Sequence, residues 1–300
     1  MTRVKDMLRS RDVVIAVTGL TLIVLIAIFG SLLAPYDPLK LNADASLQAP
    51  GPAHWLGTDY IGRDVLSRLL AGAQLSLLSA AEAVIVGLVL GVIPGLITVY
   101  GPRSIEWLTL RFSDAVLALP FIVFAISFAA ILGNGLHQAM FAVGVLFAPT
   151  FYRVTRAAVL ETNNEQYIEA SLFLGASTAW IITRHVWSKV APTIAVTAVN
   201  ALAGALLVVS SLTFLGIGVQ PPTPTWGGML ASDLNYLSQR PDGPVAPAAL
   251  IMITVALLNL LADSIRDAFD HKRDLRTPPQ RDAVVDIREN ERVVPHGSPF

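Results

Sequence analysis

"LSLLSAAEAVIVGLVLGVIPGLITVY", residues 75–100, carries one charged side chain, Glu82, in twenty-six positions. A helix of about 20 apolar residues crosses the ~30 Å hydrocarbon core of a bilayer, so this stretch reads as a membrane span. The rest of the chain repeats the pattern. Residues 13–34, 193–219 and 245–265 meet the same test, 115–132 is slightly short but clean, and 135–152 is short and interrupted by Pro149. Omitting the last would put its flanking polar regions on inconsistent sides of the membrane. The expectation is therefore an all-α, polytopic membrane protein with six transmembrane helices.

Composition agrees. Of 300 residues, 54% are hydrophobic and 14% charged, against roughly 25% charged in a soluble domain, and the mean hydropathy is +0.60. With no cysteine, disulfides, thiolate chemistry and cysteine-ligated metals are excluded. The apolar run at the N-terminus is long and ends in "GSLLAPYDP" without a small-x-small site, which reads as a retained first span.

The placement of cations sets the orientation. With the N-terminus in the cytoplasm, seventeen Lys and Arg fall on the inside, among them Arg103, Arg111, Arg153, Arg156, Arg184 and Lys189. Only Lys40, Arg63, Arg68 and Arg240 fall outside. Both termini are thus expected in the cytoplasm: an N-terminal segment at 1–12, a first transmembrane helix at 13–34, a transmembrane core at 75–276 and a flexible tail at 277–300. An outside loop covers 35–74, where Val65, Leu66, Leu69 and Leu70 at helical spacing, with Arg63, Asp64 and Arg68 opposite, suggest a helix lying along the interface. A second outside loop, 220–244, contains "QPPTPTWGGML" and "QRPDGP", whose prolines and glycines suggest an irregular, ordered lid.

The chain carries no phosphate loop, no H-E-x-x-H and no G-x-S-x-G, and its five histidines are scattered without ligand spacing. No catalytic residue, metal site or cofactor is expected in it. Glu82 is the one acid clearly inside an expected span, the coupling group an ion-driven carrier or channel would need, although it can also snorkel to the outer interface. Asp114, three residues after Arg111, suits a local ion pair. No proton relay can be traced, so a pump built on this chain borrows its energy from a partner.

A cytoplasmic loop at 153–192 offers the contact. Asn163 or Asn164 can cap a helix over "EQYIEASLFL" that Gly175 ends. Ser177 can cap a second helix striped by Ile181, Ile182, Val186 and Val190, with Pro192 marking the start of the next span. Small residues at the turn, Ala170, Ser171, Gly175 and Ala176, let another surface approach closely, while Tyr167, Leu172 and Phe173 offer apolar bulk and Glu169 a partner for an arginine. An ordinary loop would satisfy the same pattern, and spacing alone leaves the two open.

Glu169-Ala170-Ser171, three residues, then Gly175 resembles the E-A-A-x-x-x-G signature of ABC importer permeases. The wider chain is similar to the C-type permeases of dipeptide and oligopeptide importers: "HWLGTDYIGRDVLSRLLAGAQLSL" (54–77), "RFSDAVLALP" (111–120), "SLTFLGIGVQPPTPTWGGML" (211–230) and "LADSIRDAFD" (261–270). It departs where that family has a leucine-proline: here the run is His185-Val186-Trp187-Ser188, and Pro192 comes four residues later.

The resemblance implies a type I importer permease of the bacterial inner membrane that moves dipeptides or short oligopeptides inward. It further implies a heterodimer with a homologous permease, two ATPase subunits that hold ATP and Mg, an extracytoplasmic solute-binding protein, and no nucleic acid. The helix with Glu169 would be the coupling helix seated in an ATPase. Trp226 would be a contact for the binding protein, and Asn200, Ser210, Ser211, Thr213 and Asn259 would line the passage, although span hydroxyls often serve helix packing instead.

Overall fold

The computed structural model describes residues 11–133 and 135–274; the expected tail at 277–300 and most of the N-terminal segment lie outside them. Among the described residues the chain is helical, with a lone antiparallel bridge between Thr58 and Asp64. Among the described residues, five helices are long and apolar enough to cross a membrane: Arg11–Leu33, Val65–Tyr100, Leu136–Asn163, Thr178–Phe214 and Val245–Phe269. In chain order the elements are α1 (Arg11–Leu33), α2 (Val65–Ile97, continued by a 3-10 turn Thr98–Tyr100), α3 (Arg103–Leu117), α4 (Phe121–Leu132) and α5 (Leu136–Asn163). They are followed by α6 (Gln166–Phe173), α7 (Thr178–Ile181), α8 (Trp187–Phe214), α9 (Trp226–Leu234) and α10 (Val245–Asp274).

The centre of the fold is the parallel pair α2 and α5. Lipid is as apolar as leucine, so helices in a membrane are held mainly by close packing, which small residues allow. Gly87, Gly91 and Gly95 make such a stripe on α2. A Cβ at Gly87 would sit 2.8 Å from Phe147 Cβ, and one at Gly95 2.8 Å from Thr155 Cβ. Gly144 returns the contact from α5, where a Cβ would lie 2.8 Å from the Ala83 carbonyl. Helices α1, α8 and α10 pack around this pair, and at Gly30 of α1 an added Cβ would overlap the Leu70 carbonyl of α2.

Several expectations change. The span expected at 115–132 is broken: α3 stops at Leu117 and α4, twelve residues long, starts after Pro120. Proline lacks the N–H a continuing helix needs and pushes its predecessor out of the α region. Twelve residues rise only about 18 Å, short of a full crossing. The stretch expected to lie along the interface is instead the first turns of α2, capped by Asp64, whose carboxylate accepts the Ser67 amide at 2.8 Å. Its charges turn inward, and Arg63, Asp64 and Arg68 are all buried. The 220–244 segment is ordered but contains the helix α9 and a cis Pro221–Pro222 bond.

The segment leading into α8 also differs. Pro192 lies inside α8, and α7 joins α8 through a π-helical turn, Ile182–Val186. One helix therefore runs from Thr178 to Phe214 with a wide turn near its start, and nothing ends at position 188. Ile181, Val186 and Val190 are buried as their stripe suggests, and Ile182 is half-buried.

Candidate functional site: an exposed helical knob

Helix α6 is eight residues long, too short to be stable by itself, so its neighbours must hold it. Below, Ile168 is buried in the core. At its start Asn163 does not cap it, because the Asn163 Oδ1 accepts the Tyr100 hydroxyl at 2.6 Å and Asn164 closes α5. At its end Gly175 takes φ +80°, and the Ala176 amide donates back to the Ser171 carbonyl at 3.1 Å, a Schellman closure that satisfies an otherwise orphaned carbonyl. A Cβ at Gly175 would meet nothing within 4 Å. The glycine is therefore required by backbone conformation and not by space.

The far side of the knob is braced by rings. Tyr167 lies 5.5 Å from His185, and His185 lies 4.9 Å from Trp180. Ser177 caps α7, accepting the Trp180 amide at 3.3 Å. Lys189 and Glu165 add an exposed pair at 4.0 Å, a contact worth little in water. Burial pushes the Tyr167 hydroxyl above its ordinary pKa, with Glu165 adding to the shift, so the ring stays neutral throughout the physiological range.

What the knob shows to solvent is apolar. Phe173 is 84% exposed and Leu174 88%, with half-exposed Trp180 beside them. Glu169 and Ala170 are exposed as well, and Glu169 has no partner among the described residues. Ser171 returns its hydroxyl to the Tyr167 carbonyl at 2.7 Å, Ala176 packs against the core, and the Leu172 side chain lies outside the described residues. Leu174 and Trp180 were not singled out in the sequence. An apolar residue directly before a helix-ending glycine was the signal available for Leu174.

Cations near this end pair with acids of α3. Arg156 Nε donates to Glu106 at 2.8 Å and Arg153 Nη2 to Asp114 at 2.5 Å, tying α5 to α3. Arg111 stands 3.6 Å from Asp114, the local pair its spacing suggested.

The remaining candidates are not brought together. Trp226 is 0% exposed, its amide donating to Ser76 Oγ and its indole N–H to the Leu69 carbonyl, each at 3.1 Å. It locks α9 onto α2, so the expectation of a surface contact for a partner is corrected. Ser210 and Thr213 are buried beneath α9, where Gly227 packs on them, and Thr213 returns its hydroxyl to the Val209 carbonyl at 2.9 Å. Ser211 lies on the exposed stripe of α8 with Asn200, and Asn259 is exposed on α10. Glu82 is paired to His137 Nδ1 at 2.8 Å, which links α2 to the first turn of α5.

Residues 84–274 match the family described as binding-protein-dependent transport system inner membrane component, and residues 4–50 match the N-terminal TM domain of oligopeptide transport permease C. The chain belongs to this family of inner membrane transport components. Such permeases carry no ATPase activity of their own, and hydrolysis lies in partner subunits. The di/tripeptide transport system permease protein DppC of Pseudomonas aeruginosa is 39% identical over 257 residues, covering 84% of this chain and 85% of that protein. The glutathione transport system permease protein GsiD of Escherichia coli O1:K1 is 36% identical over 252 residues, 84% of this chain and 83% of that protein. The inward-facing MetNI methionine ABC transporter shares the fold at 20% identity and a TM-score of 0.54, over 66% of this chain and 94% of that one. This permease is thus a multi-pass helical protein of the bacterial inner membrane.

Proposed function

We propose that the permease moves dipeptides or short oligopeptides into the cytoplasm as one half of a heterodimeric pathway. The observation that carries the reading is the α6 knob: an exposed apolar tip, Phe173 and Leu174, with the Gly175 turn setting the path of the chain after it. A cleft on an ATPase subunit that accepts this tip gains apolar contact and a partner for Glu169. When ATP draws two such subunits together, the knob follows as a rigid body and α5 and α8 move with it.

Cation placement supports a cytoplasmic position for this end and for both termini, with α9 and residues 36–64 on the far side, where a solute-binding protein delivers cargo. In this reading α4 and its flanking residues supply a sixth crossing, and Asn200, Ser211 and Asn259 line the passage. The peptide cargo is inferred from the named relatives, which are permeases for di/tripeptides and for glutathione.

The test is uptake into proteoliposomes holding the permease, its homologous partner, both ATPases and the binding protein. Accumulation of a labelled dipeptide that requires internal ATP supports the reading. Uptake that needs only an ion gradient contradicts it.

A further inference from the structure

The opposite end of the molecule holds a cavity of about 140 Å³ between the start of α2, the end of α8 and helix α9, room for several waters or one terminal residue of a peptide. Arg63, Arg68, Thr225 and Ser232 wall it. Exposed Phe214 and Thr223 stand at its mouth.

The two arginines are the unusual part. Arg63 is 3% exposed and Arg68 6%, and a guanidinium stays charged at any physiological pH. Between them they hold one carboxylate: Asp59 Oδ2 lies 2.7 Å from Arg63 Nε and 3.5 Å from Arg68 Nε. Asp64 is spent on the Ser67 amide and hydroxyl and on His54. Asp233 forms no ion pair with either guanidinium among the described residues. Arg68 uses its Nη1 on the Pro38 and Pro222 carbonyls, at 3.1 and 3.3 Å.

Arg63 makes no backbone contact of this kind, its guanidinium lying over the Tyr60 ring at 5.9 Å from the centroid. Its Nε is taken by Asp59, and its two terminal nitrogens have no acceptor among the described residues. The open space beside this guanidinium is the cavity, from which an acceptor can reach it. Thr225 adds a donor, because its oxygen accepts the Gly228 amide at 3.1 Å and leaves the hydroxyl proton free.

We propose that the cavity is a carboxylate site, in which the two terminal nitrogens of Arg63 take both oxygens of the C-terminal carboxylate of a peptide on the outer side of the membrane. Two parallel charge-assisted hydrogen bonds fit a planar carboxylate to a planar guanidinium. The occupant rests on the importer reading; the anion preference rests on Arg63 alone. A lipid phosphate has related chemistry, and the test separates the two.

The complete permease–ATPase complex in nanodiscs, without binding protein, is titrated with Ala-Ala, Ala-Ala amide, acetate and inorganic phosphate while heat uptake and apparent Tm are read. Ala-Ala and acetate are expected to bind and stabilise and the amide is not. Arg63→Gln weakens the Ala-Ala response about tenfold or more. Because Arg63→Gln also removes an ion pair and can fail to fold, Ser232→Asp is the second variant: it places a negative charge in the cavity, leaves the Asp59 pairs intact, and is expected to abolish the response. Equal responses to Ala-Ala and its amide, a response to phosphate without one to carboxylates, or full binding by folded Ser232→Asp overturns the assignment. The same preparation, given binding protein and ATP, reports peptide uptake separately: uptake without carboxylate binding sinks this site alone, and carboxylate binding without uptake sinks the importer reading alone.

Discussion

The ring of Tyr167 on α6 lies 5.5 Å from the ring of His185 on the π turn that begins the long helix through α8, the two planes tilted by 54°. This contact joins the knob to a membrane-spanning helix through side chains as well as through the chain itself. In the proposed coupling, this contact is one route by which a displacement of α6 would reach α8. The π turn places His185 there, since a wide turn shifts the residues after it around the helix axis relative to those before.

Replacing His185 with alanine removes the ring from between Tyr167 and Trp180. Aromatic pairs of this kind contribute about 0.5–1.5 kcal/mol, so the complex is expected to assemble while peptide moved per ATP hydrolysed drops severalfold. Uptake and phosphate release measured on one proteoliposome sample check this. A proportional fall in both would point to lost assembly instead.

Gly175 tests the turn. Since φ is +80° and the space around it is open, the cost of a side chain is conformational, roughly 1–2 kcal/mol for an L-residue and least for asparagine. Substrate-stimulated ATPase activity is expected to fall in the order glycine, Asn, Ala, Val. Val equal to wild type would show that the angle of the knob is unimportant.

Gly91 tests the core. A Cβ there would sit 2.5 Å from Phe151 Cβ and 2.9 Å from the Tyr152 amide nitrogen, so α2 and α5 must separate to accept one. Gly91→Val is expected to yield little folded protein, and Gly91→Ala a complex with clearly lowered apparent Tm by fluorescence. Wild-type melting of either would contradict the packing described.

Asp233 gives a pH dependence. Burial pushes its carboxyl from 3.8 up to about 6, with the Arg240 guanidinium opposing. Between those values the folded state holds a proton the unfolded state has lost, so stability falls as pH rises through the interval and stays lowered above it. Asp233→Asn, neutral throughout, is expected to melt a few degrees above wild type at pH 8, the gap closing towards pH 5. A constant gap would place the cause elsewhere.

Much of the fold was legible in the sequence because spans are long and their signal is composition. The Gly175 turn and the Ser177 cap were equally clear, since each rests on one residue whose backbone preference is strong. Polar residues misled. Arg63, Asp64 and Arg68 have the spacing of a solvent-facing stripe, yet they are buried: Asp59 of the same loop holds both arginines, and the Pro38 and Pro222 carbonyls come from distant parts of the chain to meet Arg68. Trp226 sits in a proline- and glycine-rich segment that reads as a lid, but its burial depends on Ser76 and Leu69, some 150 residues away. The Gly87-Gly91-Gly95 stripe was present in the sequence as small residues at four-residue spacing, and its meaning appears only with α5 against it. Pro120 breaks the span at 115–132, while Pro149 and Pro192 are accommodated inside helices, a difference set by neighbours that spacing does not reveal.

The chain has no cysteine, which makes one measurement direct. Leu174→Cys, paired with a single cysteine in the docking cleft of the ATPase, is oxidised in proteoliposomes loaded with ATP. The account predicts a disulfide between the two subunits and dipeptide uptake that still requires ATP. Absence of the disulfide at every cleft position tried, with uptake intact, would show that the stroke enters the permease somewhere other than α6.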